Sequence, residues 1–93
     1  MAKSDENGQL SALELGEAAL ETVAELTGYQ PEAVTGLEWD GDAWQITVEV
    51  LELSRIPNTT DVLAAYAVQL DEGGTLRGYR RTGRFMRGQT NAE

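Results

Sequence analysis

Between Ser11 and Thr27 apolar residues return every three or four positions: Ala12, Leu13, Ala19, Leu20, Val23 and Leu26 form a stripe that Leu15 and Ala18 widen. That spacing predicts an amphipathic helix. Ser11-Ala12-Leu13-Glu14 has the capping-box form, in which a hydroxyl and a carboxylate satisfy donors that the first turn leaves open, so the helix begins at Ser11. Gly28 can take the left-handed conformation that ends it, and Pro31 prevents its resumption. The period then changes to two. Ala33 to Trp39 reads as a short strand, Asp40-Gly41-Asp42 as a tight turn, and Trp44, Ile46, Val48 and Val50 alternate with Gln45, Thr47 and Glu49. At Val50 and Leu51 the alternation slips, so either a β-bulge sits near these residues, the preferred reading, or the second face of the strand is covered as well.

Pro57 cannot donate to a ladder, so Arg55 to Asp61 reads as a loop, with Arg55 and Asp61 able to pair across its base. Val62 to Leu70 is apolar on both parities and therefore central in a sheet. Asp71-Glu72-Gly73-Gly74 turns the chain into a last strand, Leu76 to Arg87. Strict alternation would put Tyr79 and Phe85 on one face with Arg77, Arg81 and Arg87, and Arg80 and Arg84 on the other with Leu76 and Met86. Arginine on both faces suits an edge strand. The expected fold is α+β: one N-terminal helix packed on an antiparallel three- to four-stranded meander sheet, a PepSY- or cystatin-like architecture. The sheet's second face would need cover, which a partner or a second copy at an open edge could supply.

Composition narrows the chemistry. The chain has 93 residues, enough for one modest core. The expected organisation is a disordered leader over 1–9, a single domain over 10–87 and a flexible tail over 88–93. There is no Cys and no His, which excludes thiol catalysis, disulfides and any imidazole base. No run approaches the roughly 20 apolar residues of a membrane span, and the polar opening MAKSDENGQ is no signal peptide, so the expected location is cytoplasmic. Asp40-Gly41-Asp42 lacks the spacing of a calcium loop, and Asn58-Thr59-Thr60 reads as a chance sequon; neither a metal nor a cofactor is expected.

The net charge of −9 conceals an asymmetry. Fifteen of the sixteen acidic residues lie at or before Glu72, whereas Arg77, Arg80, Arg81, Arg84 and Arg87 supply five of the seven basic ones. An acidic body with a basic edge favours head-to-tail contact with a copy of itself or docking on an acidic partner, and weakens a nucleic-acid reading. Glu14, Glu17, Glu21 and Glu25 form an acidic stripe on the helix, either a solvated face or a docking face.

From Trp44 onward the chain resembles the gas vesicle protein O (GvpO) family. The resemblance rests on Trp44 with Val48-Glu49-Val50, Glu52 and Arg55-Ile56-Pro57; on Thr60-Asp61-Val62-Leu63-Ala64 with Tyr66, Val68, Leu70-Asp71 and Gly74; and on Leu76, Gly78-Tyr79-Arg80-Arg81, Arg84-Phe85 and Arg87. Leu26-Thr27-Gly28 matches as well, and Phe85 stands where many relatives have tyrosine. The resemblance implies a non-enzymatic cytoplasmic accessory protein needed for gas vesicle assembly. It also implies other gas vesicle proteins as partners, such as the shell protein or the accessory protein GvpN.

Candidate partner-binding residues are Arg55, Tyr79, Arg80, Arg81, Arg84, Phe85 and Arg87, since arginine and tyrosine are favoured at interface hot spots. A structural use of the arginines, pairing with carboxylates such as Glu49 or Asp71, stands beside it. The alternative function is nucleic-acid binding or regulation of the cluster: Arg77-Gly78-Tyr79 matches the opening of an RNA-stacking motif, with Phe85 as a further platform. A small-ligand or peptide-binding domain is a third, carried by architecture alone.

Overall fold

The helix starts as its cap predicts. Glu14 N–H donates to Ser11 Oγ at 3.2 Å and Ser11 N–H to the Glu14 carboxylate at 2.9 Å, and Gly28, at φ 80°, donates to the Ala24 carbonyl at 2.8 Å to close the other end. The computed structural model describes residues 10–88, and within them α1 (Ala12–Thr27) is followed by β1 (Gln30–Trp39), β2 (Trp44–Leu53), β3 (Val62–Leu70) and β4 (Leu76–Met86). Each strand pairs antiparallel with its sequence neighbour in the order β1-β2-β3-β4, a four-stranded meander with one helix on it. The expected leader, 1–9, lies outside the described residues, as does all of the expected tail except Gly88. Gly88 N–H donates to the Thr59 carbonyl at 2.7 Å.

The buried line of α1 is Leu15, Gly16, Ala19 and Val23, set against Ile46, Val48, Val50, Ala64, Tyr66, Val68 and Leu70 of the sheet. Leu13 and Leu26, placed in the stripe by spacing, are 70% and 52% exposed. The reason is width: a sheet only four strands across supports the centre of one helical face, so residues at its flanks and last turn overhang. The helix rests chiefly on β1, then β2 and β3, and β4 lies beyond its main footprint.

Two sequence readings are corrected. The first strand begins at Gln30, three residues earlier than expected, and takes in Pro31, which an edge strand tolerates because its outer side owes no hydrogen bonds. The predicted bulge at Val50 and Leu51 falls instead at Glu52: Val50 and Leu51 keep Ala64 and Leu63 as ladder partners, and the register slips between Leu51 and Leu53. Leu51 therefore faces away from the helix with Leu63, and Leu53 returns to the helix side.

Further slips leave Glu32 and Thr35 of β1 and Arg77 and Thr82 of β4 without ladder partners. Both edges are thus interrupted, which blunts them against uncontrolled strand addition. On the face away from the helix the ladder brings up Thr47, Glu49, Ala65, Ala67, Gly78 and Gly83, with Leu51, Leu63 and Phe85 at one end.

Candidate functional site

The slip at Thr82 decides what β4 presents. Tyr79 stands opposite Val68, Arg81 opposite Tyr66 and Arg84 opposite Ala64, all on the helix side, whereas Arg80 opposes Ala67 and Phe85 opposes Leu63 on the far side. This corrects the alternation read from sequence, which separated Arg81 from Arg84 and joined Tyr79 to Phe85. One extra residue reverses every side chain beyond it.

Brought together, Arg81 and Arg84 share one carboxylate. Arg81 Nη1 lies 2.8 Å and Arg84 Nε 2.7 Å from the two oxygens of Glu52, the residue extruded by the bulge in β2. Glu52 has a side chain only 11% exposed, while those of Arg81 and Arg84 are 44% and 56% exposed. Two guanidinium groups on one carboxylate leave a net positive charge at the surface. Beside them the Tyr79 ring, 40% exposed, lies 6.0 Å from that of Tyr66. Burial raises the Tyr66 hydroxyl above its usual 10.0, and the charge of Arg81 opposes that rise.

The carboxylates proposed from sequence play other parts. Glu49 faces away from this pair, opposite Ala65, and Asp71 Oδ1 accepts from Gly73 N–H and Thr75 N–H at 2.9 Å to hold its turn. Asp61 does not pair with the Arg55 guanidinium; it accepts from the Arg55 backbone N–H at 2.7 Å and from Arg87 Nε at 3.1 Å.

Arg87 continues to Glu32 of β1, bidentate at 3.1 and 3.0 Å, so one guanidinium spans Asp61 and the opposite edge of the sheet. Glu32 foremost, then Asp61, raises Arg87 above the usual arginine value and keeps it a cation. Arg77 reaches Asp42 at 3.4 Å. The side chains of Arg55 and Arg80 form no hydrogen bond or ion pair among the described residues. Of the seven candidates, then, Tyr79, Arg81 and Arg84 form one surface; Arg80 and Phe85 lie behind it, Arg87 is engaged at one end and Arg55 stands apart.

Glu52, Glu32 and Tyr66 are parts of this arrangement that side-chain type alone did not single out. The available signal was glycine: Gly78 and Gly83 adjoin the two slips in β4, and glycine inside a strand often marks a bulge. Tyr79 and Phe85 lie on opposite faces of β4, so the two rings do not form one stacking surface. Among the described residues no three acidic side chains converge as a metal site would need. Asp40 is spent on its own turn, accepting from Asp42 N–H and Ala43 N–H at 2.9 Å and from Gln45 Nε2 at 2.8 Å. No helix is long and apolar enough to cross a membrane among the described residues.

A family model described as gas vesicle synthesis protein GvpO matches residues 1–91. Gas vesicle protein O of Streptomyces sp. (strain CB03234) is 49% identical over 69 residues, 74% of this chain and 54% of that protein. Gas vesicle protein O of Haloferax mediterranei is 34% identical over 81% of this chain and 54% of its own length, and gas vesicle protein O1 of Halobacterium salinarum is 32% identical over 81% and 63%. The chain thus spans little more than half the length of these curated relatives. No solved structure matches it.

Proposed function

The chain belongs to the gas vesicle synthesis protein GvpO family, and from that membership we propose that it is a non-enzymatic accessory protein of gas vesicle formation, acting through protein–protein contacts. The observation that carries this reading is the family match across residues 1–91. Its partners are other gas vesicle proteins, the shell protein or accessory proteins such as GvpN, and it works in the cytoplasm on vesicles or their assembly intermediates.

The helix side of β4 is the contact surface in this reading. Tyr79, Arg81 and Arg84 combine a half-exposed ring with surplus positive charge, the composition on which interface hot spots are built. Its helix-side neighbour Met86 is 41% exposed and extends the apolar part of the strip. Fifteen of the sixteen acidic residues lie at or before Glu72, outside β4, so a partner of negative charge that docks here is steered towards this strand.

The test is genetic complementation in a host carrying a gas vesicle gene set, with vesicles counted by electron microscopy. Deleting the resident GvpO gene abolishes vesicles and supplying this chain restores them. A chain carrying R81E/R84E, shown folded by circular dichroism, fails to restore them. Vesicles that form normally without any GvpO gene would sink the functional reading; full restoration by the double reversal would remove the site and leave the function standing.

A further inference from the structure

We propose that the helix side of β4 receives a second copy of this chain, with the glutamate stripe of each α1 laid on the Tyr79, Arg81 and Arg84 surface of the other. The proposal rests on β4 being a contact surface, as above, and adds the identity of one occupant. Glu17, Glu21 and Glu25 are exposed on the outer side of α1, and none of them pairs with a basic residue among the described residues. At three- and four-residue spacing these like charges oppose one another, and a surface of the opposite sign offsets that repulsion. The surplus guanidinium charge on β4 is such a surface.

Placement makes the match reciprocal. The stripe and the arginine pair lie on the same side of the sheet, α1 standing above β1 to β3 and β4 left beside it. Two copies brought face to face by a two-fold rotation place both helices side by side between the two sheets. Each outer helical face then meets the other copy's β4. A contact made twice in this way closes as a dimer and does not propagate.

Size sets its strength. The 16 residues of α1 extend about 24 Å, and a face about 10 Å wide gives roughly 240 Å² per contact, or on the order of 1,000 Å² in total once both contacts and both copies are counted. That lies at the lower bound for a specific interface, so the dimer is weak and exchanges with monomer. At physiological salt the long-range repulsion between two chains of net charge −9 is screened beyond about 8 Å, whereas pairs in contact are not.

Sedimentation velocity on the full chain between about 10 and 500 µM, in about 0.15 M salt, tests this with a charge swap. The unmodified chain sediments increasingly as a dimer as concentration rises. E21R/E25R and R81E/R84E each weaken self-association at least about tenfold, because each homodimer then sets like charges against each other. Mixed in equal amounts the two variants regain the dimer, since both contacts are again of opposite sign. A monomer throughout the range overturns the proposal, as do variants that dimerise unchanged or a mixture that stays monomeric.

The helix variant lies on a solvated surface and keeps the test decisive if R81E/R84E is poorly folded beside Glu52. The vesicle assay separates this proposal from the functional one. A chain that is monomeric in solution yet loses vesicles on R81E/R84E docks another protein on β4 and not itself.

Discussion

Asp61 shows how much one buried carboxylate can hold. It is 4% exposed and accepts from a backbone N–H at 2.7 Å and from a guanidinium at 3.1 Å. Asp61→Ala leaves the Arg55 N–H without its acceptor, so it lowers stability by about 2 to 3 kcal/mol in urea denaturation, and Asp61→Asn by less because its amide oxygen still accepts. Asp40 gives a pH signature. Backbone N–H donation from Ala43, then from Asp42, then from the Gln45 side chain, holds its carboxyl below the usual 3.8. A depressed folded value contributes stability that is present above the unfolded value and is lost as pH falls through the folded one. The fall in thermal midpoint between about pH 4 and pH 2 is therefore shallower for Asp40→Asn than for the unmodified chain. Neither role was legible as such: the sequence marked Asp61 as a possible partner of the Arg55 side chain, but a carboxylate cannot be assigned to a backbone donor before the loop is folded.

At the level of elements, periodicity located the strands and the ladder decided their faces. The change from helical to alternating period placed α1, β2, β3 and β4 within a residue or two, and the capping box and Gly28 fixed both ends of the helix. What alternation could not supply was the count of extra residues, because a bulge is a property of two strands together. Two arginines read as lying on opposite faces thus meet on Glu52. Deleting Thr82 removes the extra residue and leaves Gly83, Arg84 and Phe85 opposite Ala65, Ala64 and Leu63, on their present faces. The deletion therefore costs no more than about 2 kcal/mol in chemical denaturation, and Thr82→Ala, which keeps the count, stays within about 0.5 kcal/mol. A larger loss from the deletion would show that the strand needs the bulge itself and not only the faces it sets.

For the whole molecule, nearly every contact in a meander joins elements adjacent in the chain, so the strands can pair in turn with little loop closure. The link from Arg87 to Glu32 is different, joining residues 55 positions apart across the two edges of the sheet. Such a link can form only after all four strands are in register, which places it after the folding barrier. Arg87→Ala should then speed unfolding several-fold in stopped-flow denaturant jumps and leave the refolding rate unchanged, as for any interaction absent from the transition state. A slowed refolding limb would contradict this order. The guanidinium at the end of the last strand acts as a latch, setting how long the folded chain persists and leaving how quickly it forms to the strands.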